Sequence, residues 1–282
     1  MMNGMVSKVG ASIATLLLTT SVASAALVEV ELDDFLGEWS NVKPTDLVPA
    51  PANTGLSNNP EVRWGTPVPA TGERSGYRID LPPADSPAIS APVLQQFDVP
   101  GATDFFRVGN FTHYNFPIRV GTSIESVVFT IGFDLGLGDV GGPYADQGRF
   151  SFDFQFNHWE TNNQVGNTSI VCPNGELNGT GLNLTAAGEA KCADRVSITP
   201  LSTSDSFMVD GTRYTFDLVG FSGDDAGDDC GTLCSEFWTI EDQTNHAGLF
   251  ARIRAVETPE PGSLALLGLG LLGLGMTKRR KQ

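Results

Sequence analysis

Two short polar motifs hold two of the three histidines in the chain. Thr112, His113 and Asn115 form a Thr-His-x-Asn sequence, and a second motif contains His158 and Glu160. Histidine and carboxylate side chains serve as metal ligands and as general acids or bases. These five residues therefore suggest a small polar site, with His113, His158 and Glu160 as metal ligands or as an acid–base pair. The rival hypothesis is a buried network that holds two strand ends by hydrogen bonds alone.

Other signals for catalysis are weak. The chain contains neither a G-x-S-x-G nucleophile elbow nor an H-E-x-x-H zinc motif. A glycosidase needs two carboxylates across a cleft, but nothing singles out one pair among so many acidic residues. We therefore predict no catalytic residues and a non-enzymatic protein. A glycan-active hydrolase that uses His113, His158 and Glu160 is the alternative.

An acidic segment between 222 and 234 contains four aspartates: Asp224, Asp225, Asp228 and Asp229. Clustered carboxylates on a loop suit Ca²⁺, which prefers oxygen ligands, although the spacing differs from that of an EF-hand. A Ca²⁺ site is one hypothesis, and a solvated acidic loop beside two cysteines is the other. No further cofactor is expected.

The four cysteines predict two disulfides, because an even number in an exported chain usually forms bridges. Of three possible connectivities we favour Cys172–Cys192 and Cys230–Cys234, since each pair closes one loop segment. Zinc on these cysteines is the rival, but no histidine lies near either pair in the sequence.

The body of the chain lacks a sustained helical period and instead shows short alternating stretches separated by turn residues. This pattern predicts an all-β fold, a single antiparallel β-sandwich of jelly-roll or lectin-like type with long loops. The clearest strand runs from Arg149 to Trp159, where four phenylalanines (Phe150, Phe152, Phe154 and Phe156) share one face. His158 has the same parity, so we expect it at the inner rim of the sandwich, near the Thr-His-x-Asn motif on a neighbouring strand.

Two segments look irregular. The stretch between Pro44 and Pro92 is rich in Pro, Asn, Gly and Thr, and Asp134 to Gly148 is rich in Gly and Asp. We expect long loops in both. Trp39, Trp64 and Trp159 are candidates for stacking on sugars, of which Trp159 has outward parity. Ordinary packing in the core is the alternative for each.

The first 25 residues have the layout of a secretory signal peptide. Lys8 gives a positive start, residues 11–20 are mostly apolar, and Ala23-Ser24-Ala25 offers a small-x-small cleavage site. We therefore divide the chain into a signal peptide (1–25), a β-sandwich domain (26–257) and a C-terminal segment (258–282). Without its two ends the chain keeps 12 basic and 32 acidic residues, a net charge of −20. Such a surface repels nucleic acid.

The C-terminal segment has three parts. Pro259, Glu260 and Pro261 precede an apolar run from 264 to 276 that is shorter than the roughly 20 residues of a comfortable membrane span. A basic stop follows, made of Lys278, Arg279, Arg280 and Lys281. This cluster favours a cytoplasmic C-terminus. A marginal hydrophobic helix of this kind suits a segment that is removed.

The tripartite tail resembles the PEP-CTERM sorting signal of Gram-negative bacteria. The resemblance implies export through the Sec translocon, transient insertion of the C-terminal helix in the inner membrane, and recognition by an exosortase. The tail would be cut near residues 259–261, and the body would pass to the cell surface, outer envelope or extracellular matrix.

The motifs of the body are similar to those of the PEP-CTERM subset named for its Thr-His-x-Asn (THxN) sequence. The similarity supplies a label and no activity. The sequence thus predicts an exported matrix or envelope protein with a structural or binding role at exopolysaccharide or biofilm. A carbohydrate- or Ca²⁺-binding module is the closest alternative.

Overall fold

The computed structural model of the chain describes residues 28–70, 72–82, 89–94, 105–139, 142–161, 166–201, 206–209, 212–222 and 233–255. These ranges contain thirteen β-strands and one 3₁₀ turn, Gly181–Asn183. In chain order the strands are β1 (Val28–Lys43), β2 (Ala52–Asn53), β3 (Glu61–Trp64), β4 (Ser75–Asp80), β5 (Ile89–Leu94), β6 (Phe106–Asn115), β7 (Ser126–Asp139), β8 (Ala145–Trp159), β9 (Asp194–Pro200), β10 (Phe207–Val209), β11 (Thr212–Ser222), β12 (Glu236–Thr239) and β13 (Gln243–Ala255). The prediction of an all-β protein is confirmed.

The strands form two antiparallel sheets. The first sheet has the order β12-β9-β8-β7-β1-β5, and the second has the order β10-β11-β13-β6-β4-β3-β2. Their facing side chains pack together: the rings of Phe156 and Phe111 lie 5.5 Å apart, and those of Phe133 and Phe216 lie 5.0 Å apart. Since each pair joins the two sheets, the fold is a β-sandwich. A jelly-roll or lectin-like topology stays a prediction.

The predicted aromatic face of β8 lies in the core. Phe152, Phe154 and Phe156 have no exposed surface, and Phe150 is partly buried. Their outward neighbours, such as Gln155 and Asn157, are more exposed, as side chains that alternate across a strand require.

The expectation of long loops between 44 and 92 is wrong in part, because β2, β3, β4 and β5 lie there. Trp64 and Tyr77 belong to two of these strands and are completely buried. The strands are short, and β2 and β5 form sheet edges, where flanking or internal prolines are tolerated because fewer ladder hydrogen bonds are needed. Their short length is what hid the alternation.

The expected loop from 134 to 148 is also wrong in part. β7 and β8 continue into it as a hairpin, with Leu137 opposite Ala145. The glycines here allow close approach: a Cβ on Gly138 would lie only 2.7 Å from the carbonyl oxygen of Pro143. The glycine-rich composition therefore permits the pairing instead of preventing it.

The predicted Cys172–Cys192 disulfide is present, with a Cα–Cα distance of 5.4 Å, in the segment that connects β8 to β9. Cys234 is also disulfide-bonded, whereas its predicted partner Cys230 lies outside the described residues. The same holds for the signal peptide, the four aspartates of the predicted Ca²⁺ loop and the whole C-terminal tail. Within the described ranges, no helix is long and apolar enough to span a membrane.

Candidate functional site

The two histidine motifs meet inside one end of the sandwich. His113 lies near the end of β6 and His158 near the end of β8, and their ring centroids are 5.3 Å apart in an edge-to-face arrangement. The expectation that they meet on neighbouring strands is wrong, because β6 and β8 belong to opposite sheets. The motifs approach each other across the interior of the sandwich.

The imidazole of His113 has no exposed surface. Its Nδ1 lies 2.8 Å from Thr239 Oγ1, and the side-chain amide of Asn115 donates to the Thr239 carbonyl at 3.2 Å. Burial, followed by the proximity of His158, holds the pKa of His113 well below its usual value. His113 is therefore a neutral group that ties β6 to β12.

Thr112 does not join this cluster. Its side chain faces the other side of β6, where Oγ1 lies 3.0 Å from Nδ1 of His246. The third histidine is thus a partner of the motif that sequence analysis did not identify. Cross-strand pairing of Thr112 with His246 explains the contact.

His158 contacts a buried residue through one ring nitrogen and a partly exposed residue through the other. Its Nδ1 lies 2.7 Å from the hydroxyl of Tyr77, and its Nε2 lies 3.3 Å from Glu160 Oε2. Ser123 Oγ donates to the same carboxylate oxygen at 2.8 Å. The side chain of His158 is fully buried while that of Glu160 is 28 % exposed, so Glu160 links the histidine to solvent.

Asp194, the first residue of β9, is a further member of the cluster that was not predicted from the sequence. It is completely buried, and its Oδ1 accepts a hydrogen bond from Thr161 N at 2.6 Å. Burial, and then the carboxyls of Glu160 and Glu241, raise the pKa of Asp194 well above its usual value. Burial and the charges of Asp194 and Glu160 likewise raise the pKa of Tyr77. The cluster therefore places several acidic groups where water reaches them poorly, which disfavours their ionised forms.

One donor atom from each of His158, Glu160 and Asp194 lies within 4.8 Å of the others. An imidazole and two carboxylates at this separation can hold a divalent cation. They are poorly placed to act on a large substrate, because two of the three side chains are buried. The predicted polar site is thus assembled from His113, Asn115, His158 and Glu160, with Asp194 and Tyr77 added.

A second feature lies on the outer face of the first sheet. Trp159 of β8, Arg195 of β9 and Trp238 of β12 occupy directly opposite positions on three neighbouring strands. The guanidinium carbon of Arg195 lies 4.5 Å from the centroid of the Trp159 ring and 5.8 Å from that of Trp238. We call these three residues the aromatic row.

Of the three tryptophans considered from the sequence, only Trp159 is exposed, at 44 %, while Trp39 and Trp64 are completely buried. Trp238 was missed, although its place between the buried Phe237 and Thr239 gives it outward parity. The alternation in this short strand is the signal that identifies it.

Polar side chains continue the outer face beside the aromatic row. Gln155 donates to Asn157 Oδ1 at 2.6 Å, and Asn157 donates to Thr199 Oγ1 at 3.0 Å. Amides and hydroxyls that are already aligned by one another offer several donors and acceptors to a ligand at little further cost in conformational entropy. The aromatic row and these polar side chains together form an amphipathic surface on the outer face of the sheet.

Residues 257–281 match the model of the PEP-CTERM protein-sorting motif. The match indicates an exported, exosortase-sorted protein of the cell surface or extracellular space. It confirms the resemblance of the tail, whereas assignment to the THxN subset stays a prediction. A comparison with curated proteins found no match.

Proposed function

We propose that the body of the protein is a non-enzymatic binding module that attaches to exopolysaccharide at the cell surface or in the extracellular matrix. The aromatic row is the observation that carries the proposal. Trp159, which is exposed, and Trp238, which is partly buried, lie in register on either side of Arg195. Apolar patches of this kind on a protein surface commonly mark binding sites. The sorting motif supports the proposal, because an exported protein would have access to an extracellular polysaccharide.

The side chains of the aromatic row are of types that can bind a sugar. Tryptophan presents a large apolar ring face with a polar N–H, so it can pack against the C–H face of a pyranose while hydroxyls remain available for hydrogen bonds. The neighbouring side chains of Asn157, Gln155 and Thr199 can supply those hydrogen bonds. Because these side chains extend over three neighbouring strands, the surface suits an extended polysaccharide chain.

The negative charge of the protein argues against an acidic polysaccharide as the ligand. The chain carries a net charge of −16, which repels polyanions. Arg195 does not reverse this locally, because its guanidinium pairs with Glu236 at 3.0 Å. We therefore propose a neutral polysaccharide as the ligand.

Replacing Trp159 by alanine is expected to weaken binding to neutral polysaccharide at least tenfold, the change that about 1.4 kcal/mol of lost contact energy produces. Co-sedimentation with insoluble exopolysaccharide measures the effect. Met208→Ala is the matched control, because Met208 is a 55 % exposed apolar residue on the opposite sheet. Equal retention of wild-type and Trp159→Ala protein would exclude the aromatic row as the binding surface.

Burial of the histidines supports binding over catalysis. The side chains of His113 and His158 have no exposed surface, so a glycosidic bond does not reach them without opening of the sandwich. A glycan-active enzyme at His113, His158 and Glu160 is the second candidate. It requires that His158→Ala abolishes turnover in a protein that stays folded.

Processing of the tail gives a separate prediction. Protein recovered from an exosortase-positive host is expected to lack the residues that follow the Pro259–Pro261 motif, and substitution of the motif by three alanines should leave the tail in place. Intact-mass spectrometry measures both. A wild-type protein from that host that still ends at Gln282 would contradict exosortase processing. A transient inner-membrane tether after Sec export is part of the same proposal.

A further inference from the structure

We propose that His158, Glu160 and Asp194 form a binding site for one transition-metal cation, for which Zn²⁺ has the best-matched ligand preference. The proposal is independent of polysaccharide binding, because the aromatic row lies on the outer face of the first sheet and this cluster lies at its inner rim. The three donors come from the end of β8, from the residue that follows it and from the start of β9.

Asp194 gives an independent reason to expect a cation. Its Oδ1 is satisfied by Thr161 N, but no N–H or hydroxyl group of the described residues donates to its Oδ2, although Asp194 is completely buried. The neighbouring acidic groups are Glu160 and Glu241, and the carboxyl of Glu241 is hydrogen-bonded to that of Asp194, which requires a proton between them when no cation is bound. A buried carboxylate beside other carboxyls must either hold a proton or share a cation, and a cation would satisfy Oδ2 directly.

His158 is oriented as a metal ligand would be. Its Nδ1 is held 2.7 Å from the Tyr77 hydroxyl, which leaves Nε2 directed at Glu160. Metal-binding histidines commonly hydrogen-bond through the second ring nitrogen to an oxygen, which fixes the ring and the tautomer. Ser123 orients Glu160 in the same way through its bond to Oε2. Both ligands therefore have supporting partners in place.

The donor set selects the metal. A nitrogen donor from imidazole disfavours Ca²⁺ and Mg²⁺, which take oxygen ligands, and suits Zn²⁺. Tetrahedral zinc with bonds of about 2.0–2.2 Å holds its donors roughly 3.4 Å apart. Nε2 of His158 and Oε2 of Glu160 are already 3.3 Å apart, and a donor atom of Asp194 lies within 4.8 Å, so small side-chain shifts would complete the set. The exposed side of Glu160 leaves a position for water and a path for the ion to enter.

The site would have a structural role in this fold. His158 and Asp194 flank the segment that carries the Cys172–Cys192 disulfide, a region with one 3₁₀ turn and no strand among its described residues. A metal shared by the two strand ends would fix the start and the end of this segment. Metal binding that depends on folded geometry adds its free energy to the stability of the fold.

The test uses the mature body after removal of metal by a chelator. We expect one Zn²⁺ per chain by elemental analysis, a rise in Tm with added Zn²⁺ that EDTA reverses, and little change in Tm with Ca²⁺. Glu160→Gln should weaken Zn²⁺ binding at least tenfold in calorimetry. This variant removes a partly exposed charge, so it keeps the test valid if Asp194→Asn fails to fold.

Glu236→Gln is the matched control, because Glu236 is an acidic residue on the outer face that pairs with Arg195. Zinc affinity should not change in this variant. Three results would overturn the proposal: no retained or added Zn²⁺ binding, equal affinity in Glu160→Gln and wild type, or equal stabilisation by Ca²⁺ and Zn²⁺. Loss of zinc binding with unchanged polysaccharide retention would separate this site from the aromatic row.

Discussion

Replacing Trp39 by alanine is expected to lower the free energy of unfolding of the body by about 4 kcal/mol, within the range for loss of a buried tryptophan. The indole has no exposed surface, and its ring centroid lies 4.8 Å from that of Phe129 and 5.1 Å from that of Phe156. It also contacts Tyr77 of the second sheet, at 5.8 Å. The substitution would leave a cavity where the two sheets meet and would remove the hydrogen bond from Nε1 to the Pro60 carbonyl, 3.0 Å long.

Chemical denaturation monitored by circular dichroism measures this change. Trp159→Ala removes the same side chain from an exposed position and should alter the free energy of unfolding by less than about 1 kcal/mol. If Trp39→Ala were as stable as Trp159→Ala, the packing of the two sheets described above would be wrong.

Loss of the Cys172–Cys192 disulfide is the second large effect. The bridge joins residues with a sequence separation of 20, and loop-closure entropy for such a length corresponds to about 3 kcal/mol. The double variant Cys172→Ser/Cys192→Ser should therefore unfold at a lower temperature by several degrees. Both cysteines are almost completely buried, so burying the serine hydroxyls would lower the stability of the double variant further.

Differential scanning calorimetry and limited proteolysis measure the loss. Val171→Ser is the control for local polarity, because Val171 is 64 % exposed beside the same bridge. We expect new cleavage between β8 and β9 in the double variant and none in the control. A double variant with wild-type Tm and protease resistance would show that the bridge does not constrain this segment.

The strands that could be predicted from the sequence are those in which apolar and polar residues alternate without interruption. In β8 the phenylalanines keep strict parity from Phe152 to Phe156, so both the strand and its buried face were correct. β1 was not identified, although Trp39 lies in it. Its pairing with β7 shifts register between Asp33 and Leu36, and this irregularity breaks the period of two on which the prediction depends.

The candidate site shows the same limit. The inward parity of His158 is a local property, and it was predicted correctly. That His113 lies on the opposite sheet, and that Asp194 reaches the cluster, depends on how strands far apart in sequence are ordered in the sheets. No local pattern around Asp194 distinguishes it from the other acidic residues of the chain.

The aromatic row could be predicted only in part, because it depends both on local alternation and on the order of the strands in the sheet. Outward parity identified Trp159, but the opposition of Trp159, Arg195 and Trp238 follows from the pairing of three strands. Chain order alone does not place β12 beside β9. The row is therefore a property of the folded sheet, which is why only Trp159 could be predicted from the sequence.

The most direct test of polysaccharide binding is an NMR titration of the body with soluble fragments of neutral exopolysaccharide, monitored at the indole N–H signals of its four tryptophans. Trp39 and Trp64 are buried and serve as internal controls. We predict that the signals of Trp159 and Trp238 shift with increasing ligand while those of Trp39 and Trp64 do not. Saturating binding that leaves Trp159 and Trp238 unchanged, or no binding at all, would contradict the proposed function.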